Sequence, residues 1–218
     1  MEERRIDVRE GHTVSVSVHG AGETALLLGH GAGGTRKTPL LLGLAEALAA
    51  TGRRAVLFNF AYSEGSRRVP DKAPLLEATV AACARFVRDE LGAQRLILGG
   101  KSMGGRIASQ AVAKGLPAEG LVFLGYPLHP PGKPEALRDR HLPSVAVPML
   151  FVQGTRDAFA RWDLLEATLA RLGERVTLLR IEGGDHSFAV PKRTGQTAAD
   201  VERLIFAGVV SWLEGLRP

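Results

Sequence analysis

Hydrophobic and polar residues alternate along this chain in two rhythms. Thr13-Val14-Ser15-Val16-Ser17-Val18 changes character at every residue, the mark of a half-exposed strand. With the preceding segment, Arg4 to Arg9, it predicts an antiparallel N-terminal hairpin. Short apolar runs follow at Ala25–Gly29, Arg54–Phe60, Leu96–Leu98, Gly120–Tyr126, Pro148–Gln153 and Arg175–Ile181. Runs of this length without alternation predict strands covered on both faces. Between them lie helical patterns. Pro39 to Ala50 is one, with the proline in its first turn. Pro74 to Glu90 is another, closed by Gly92. Ile107 to Ala113, Trp162 to Arg171 and Thr197 to Leu216 complete the set. Ala61 to Lys72 reads as a polar loop. Pro127 to Pro143 holds five prolines and predicts a long connection with at most one helical turn.

Strands that alternate with helices predict the α/β class, a mainly parallel sheet with helices on both faces. No repeat, low-complexity tract or linker interrupts the 218 residues, so residues 1–218 are expected to form one domain, with no stretch long enough for a large cap. No apolar run approaches the roughly 20 residues of a membrane span. No apolar segment follows Met1-Glu2-Glu3-Arg4-Arg5, so no secretory signal is expected. Cys83 is the only cysteine, which excludes an intrachain disulfide and suits a reducing, cytoplasmic setting. The net charge of +5 does not point to nucleic acid. The arginines are scattered in pairs (Arg4-Arg5, Arg53-Arg54, Arg67-Arg68) and only 6% of residues are aromatic, so the charge reads as a solvated surface. Oligomeric state has no signature in this sequence.

The chemistry centres on Gly100-Lys101-Ser102-Met103-Gly104, a G-x-S-x-G pattern between an apolar run and a helical one. A serine attacks only if it is lifted clear of the sheet, and a sharp strand-to-helix turn does this. Side chains two residues before and after would collide with the turn, so both positions want glycine. Two further strand ends carry reactive groups. Asp157 follows Phe151-Val152-Gln153, and His186 follows the last strand in Gly183-Gly184-Asp185-His186. The order Ser102, Asp157, His186 is that of a nucleophile, an orienting acid and a base. Asp185 is a rival acid, ranked lower because a sequence neighbour usually points away from the ring. Asp157 has an alternative use as a helix N-cap.

A developing oxyanion needs two amide donors. Met103 N–H and Ala32 N–H, the latter in Gly29-His30-Gly31-Ala32-Gly33-Gly34, are the expected pair. His30 is expected to shape that loop. Gly29-x-Gly31-x-x-Gly34 also fits a dinucleotide fingerprint, but the next strand ends Leu57-Phe58-Asn59-Phe60, without the acid that would hold a ribose. Phe60, Tyr62, Tyr126, His129 and Phe188 are expected as walls of a shallow substrate pocket. Arg67, Arg68 and Arg156 read as solvated surface, the alternative being contact with an acidic group of the substrate. Lys101 stands beside the nucleophile with no assigned role.

On these segments the chain resembles the α/β-hydrolase superfamily along nearly its full length. Gly125-Tyr126-Pro127-Leu128-His129-Pro130-Pro131-Gly132-Lys133-Pro134 and Gln153-Gly154-Thr155-Arg156-Asp157 narrow the likeness to a small cap-less branch near the dienelactone hydrolases, among them the testis-expressed hydrolases. The resemblance implies an eight-stranded sheet, an acyl-enzyme mechanism on a small-molecule acyl substrate, and neither cofactor nor metal. Dienelactone hydrolases usually carry a cysteine where this chain has Ser102, so their substrate does not transfer. The alternative to a hydrolase of small esters is a non-catalytic interaction scaffold on the same fold.

Overall fold

The computed structural model describes residues 1–9, 11–65 and 67–216. Eight strands form one sheet: β1 (Glu2–Arg9), β2 (His12–His19), β3 (Thr24–Gly29), β4 (Arg54–Phe58), β5 (Arg95–Lys101), β6 (Gly120–Leu124), β7 (Met149–Gly154) and β8 (Val176–Ile181). Their spatial order is β1-β2-β4-β3-β5-β6-β7-β8. β1 and β2 form the expected hairpin, and β2 also pairs antiparallel with β4. Every other pair is parallel.

The central strands split their side chains between two cores. Leu27, Leu98, Phe123 and Phe151 point to one face, where they meet α3 (Ala73–Arg85), α4 (Met103–Ala113) and α5 (Trp162–Leu172). Leu28, Ile97, Val122 and Val152 point to the other, against α1 (Pro39–Ala50) and α6 (Ala198–Gly215). Each such side chain is essentially inaccessible and contributes roughly 1.5–3 kcal/mol of burial. This two-sided covering is why these strands read as unbroken apolar runs. At the start of α6, Thr197 Oγ1 accepts from Asp200 N and the Asp200 carboxylate accepts from Thr197 N, a reciprocal capping box.

Four local expectations are corrected. The strand expected over Arg54–Phe60 ends at Phe58, and the expected polar loop opens with a helical turn, α2 (Ala61–Glu64). The Glu64 carboxylate holds that turn to the sheet by accepting from Ser15 N at 2.7 Å and Ser15 Oγ at 3.0 Å. β2 is not half-exposed: Ser17 and His19 are buried and bonded to each other, so its polar face is covered at that end. The helix expected over Pro74–Glu90 is α3 followed by a wider π-helical turn, Phe86–Glu90. Among the described residues no helix is long and apolar enough to cross a membrane.

The parallel register aligns the strand ends. Gly29 pairs with Gly100, Lys101 with Leu124, and Gly154 with Ile181. The loops after β3, β5, β7 and β8 therefore leave from one sheet edge, the usual place for a ligand in an α/β sheet.

Candidate active site

Ser102 sits between β5 and α4 with φ 49° and ψ −112°, one of two non-glycine residues at positive φ among those described. The turn is tight because glycines let three backbones touch. A Cβ on Gly100 or Gly104 would lie 2.1 or 2.2 Å from the carbonyl oxygen of Gly29. The strain of the serine's backbone is held in place by this contact between β3, β5 and α4.

The three chain-distant groups meet. His186 Nε2 lies 2.8 Å from Ser102 Oγ, and His186 Nδ1 lies 2.7 Å from Asp157 Oδ2. With Nδ1–H donating to the carboxylate, Nε2 is left to accept the serine proton. Asp157 is buried and accepts two more bonds, from Gln153 Nε2 at 2.6 Å and Phe159 N at 2.8 Å. It caps no helix, since the N-cap of α5 is Arg161. Asp185 accepts from the amides of Ser187 and Ala189, so it shapes the histidine's loop.

A family model described as an alpha/beta hydrolase domain matches residues 22–214. The chain belongs to this family. Solved structures agree on the fold. A serine hydrolase without a lid from Xanthomonas campestris is 22% identical, over 97% of this chain and 94% of its own, at a TM-score of 0.73. A dienelactone hydrolase from Anabaena variabilis is 20% identical over 99% of each chain, at 0.70. A cold-adapted esterase from an Arctic intertidal metagenomic library is 20% identical, over 99% and 93%, at 0.71.

In this α/β hydrolase the loop after β3 is built around its turn. Gly34 N donates to Gly31 O at 3.1 Å, with Gly33 at φ 73° in the position of a type II turn that favours glycine. Tyr62 Oη accepts from Gly33 N. His30 donates from Nδ1 to Gly31 O and accepts at Nε2 from Phe60 N, and burial pushes its titration below the ordinary value. It is a neutral brace for the loop. The turn leaves Ala32 N–H without a partner among the described residues. Met103 is the first residue of α4, so its N–H has no intrahelical acceptor. Both residues border Ser102 in one cavity.

Two cavities open at the serine. One of about 300 Å³ is bordered by Gly31, Lys101, Phe159, His186 and Ser187. The other, of about 340 Å³, runs from Ala32 and Met103 to Leu76, Arg106, Pro127 and Arg138. None of the five expected wall residues lines either. Phe60, Tyr62 and Tyr126 are fully buried, and His129 and Phe188 nearly so. The α2 turn tucks Phe60 and Tyr62 into the core beside His30. Tyr126 Oη donates to Arg138 O, and His129 Nε2 accepts from Arg161 N, so both brace loops.

Three neighbours of the site have no role assigned from the sequence. Gln153 is fully buried and bridges two elements: its Nε2 donates to Asp157 and its Oε1 accepts from Tyr126 N at 2.8 Å. Phe159 lies against the His186 ring at 4.2 Å between centroids. Lys101 donates from Nζ to the carbonyl of His186 at 2.6 Å and lies 5.2 Å from the centre of the Phe188 ring. Burial pushes its ammonium down to about 8, against the pull of Asp157 and Asp185. Lys101 is visible beside the nucleophile, but the role of each of the three is identified only by what the fold sets beside it.

Proposed function

We propose that this chain is a serine hydrolase that cleaves small carboxylic esters or related acyl compounds through an acyl-enzyme. The observation that carries this reading is the continuous Ser102–His186–Asp157 chain, at 2.8 and 2.7 Å. Ser102 Oγ attacks the carbonyl carbon while His186 Nε2 takes its proton. Asp157 keeps the ring oriented and stabilises the imidazolium. The amides of Ala32 and Met103 hold the oxyanion. The carbon–oxygen bond to the leaving group breaks, and the alcohol takes the proton from Nε2. Water then attacks the acyl-serine with His186 again as base, which releases the carboxylic acid and frees Ser102. Both cavities are small, which favours short acyl groups. The lid-less serine hydrolase and the esterase among the structural relatives lend the reading support.

A fluorophosphonate probe tests it. Wild-type protein is expected to label and Ser102→Ala protein is not. Turnover of p-nitrophenyl acetate and butyrate is expected to fall roughly 10⁴-fold or more on removal of the nucleophile. Equal labelling of the two proteins overturns the proposal, and silence across the ester series favours the scaffold alternative.

A further inference from the structure

The second cavity has a feature that the hydrolytic chemistry does not use. Arg106, one helical turn along α4 from the nucleophile, and Arg138, on the proline-rich connection, both line it. Neither guanidinium makes a hydrogen bond or ion pair to any described residue, and Arg106 Nε is buried without a partner. Burial lowers the Arg106 titration, and the like charge of Arg138 lowers it further. Neither nearby acid is bonded to them. Asp139, next to Arg138, binds Arg171 at 2.5 Å. Asp71, which also lines the cavity, gives one oxygen to Arg67 at 2.9 Å, and its other oxygen has no partner. His141 also lies within reach of the Arg106 charge, but burial lowers it to about 4, so it is neutral at pH 7 and offers no anion. Two unpaired, partly buried cations on one cavity wall repel each other unless a shared anion joins them, and guanidinium forks suit a carboxylate.

The position assigns the anion to one part of a substrate. The leaving group must lie near His186 Nε2, which protonates it, and His186 borders the other cavity. Ala32 borders both cavities, but the arginine cavity alone contains Met103 and lacks His186, so it receives the acyl side.

We infer that this cavity binds an acyl chain ending in a carboxylate held by Arg106 and Arg138, so that the preferred substrates are half-esters of short dicarboxylic acids. The inference rests on the serine-hydrolase reading for its chemistry and on the arginine pair for its specificity. Arg106 follows the nucleophile by one helical turn on α4, and the cavity of about 340 Å³ limits the diacid to a short one.

The test compares kcat/KM for monomethyl adipate with that for methyl pentanoate, which lacks the second carboxylate. Wild type is expected to favour the charged ester by roughly 10- to 100-fold, the worth of one or two charge-assisted hydrogen bonds. Arg106→Gln and Arg138→Gln are expected to bring that ratio toward one, with Arg106→Lys retaining part of it. A general loss of structure lowers both substrates together and leaves the ratio intact. A wild-type ratio at or below one, or a ratio unmoved in both glutamine variants, overturns the inference while the hydrolase reading stands. Calorimetric titration of Ser102→Ala protein with adipate needs no turnover. Arginine-dependent binding without fluorophosphonate labelling of wild type keeps the anion site and removes the hydrolase reading. No binding at millimolar adipate counts against the site.

Discussion

Replacing Lys101 with methionine removes a charge from a partly buried position beside the nucleophile. Burial lowers this ammonium from 10.5 to about 8. The unfolded chain keeps the ordinary value, so between about pH 8 and 10.5 the unfolded state binds more protons than the folded one. Stability must then rise with pH across that window. Below it the amine is protonated in both states and the cost of burying the charge is present in full. Above it the amine is neutral in both and that cost is gone. At about 1.4 kcal/mol per pH unit, the interval amounts to about 3 kcal/mol. Methionine matches the length of the side chain and cannot titrate. Urea denaturation of both proteins, at steps from about pH 7 to 10.5, gives the difference directly. Relative to the variant, wild type is expected to hold level up to about pH 8 and then gain about 3 kcal/mol. Groups common to both proteins and distant from the site cancel in that difference. Curves that stay parallel, or a wild type that loses ground with rising pH, refute the buried ammonium.

Other consequences are as direct. Gln153→Leu removes a donor from Asp157 and strands the buried Tyr126 amide; it is expected to cost about 1–3 kcal/mol in urea and to lower ester kcat/KM. Ser102→Gly and Ser102→Ala lose the same hydroxyl, but glycine accepts φ 49° without strain. The glycine protein is expected to be more stable than the alanine one by about 1 kcal/mol; the reverse order of melting temperatures refutes the strain. Cys83 is fully buried and burial raises its thiol well above the usual range. Ellman's reagent is expected to find it only after denaturation, and rapid labelling of native protein would count against that packing.

How much of this was legible in the sequence depended on where each signal was stored. Helix α1 was readable to the residue, from Pro39 to Ala50, because a proline marks its first turn and its apolar stripe ends at Thr51-Gly52. The elbow was readable because glycines on both sides of Ser102 answer a local steric demand. Burial of side chains beside the site was not. Phe60 and Tyr62 follow a strand end, where an aromatic residue serves equally as a pocket wall or a core plug, and only the α2 turn decides for the core. Ser17 looked exposed because alternation reports polarity, not the presence of a neighbour on the second face. Gln153 ends an apolar strand and read as a boundary, because its partner Tyr126 becomes a neighbour only when β6 and β7 pair. Arg106 and Arg138 are 32 positions apart, and no pattern along the chain sets them side by side.

Strand β8 has a neighbour on one side only, and the loop that carries His186 hangs from it, whereas Ser102 leaves from the middle of the sheet. Edge strands open at lower free energy than central ones. Mild urea should therefore silence the protein by letting its rim fray, with the helical signal still intact and the serine still in its elbow. In such a molecule ester turnover would be a more sensitive gauge of damage than circular dichroism, and recovery on dilution would need only one strand to dock again.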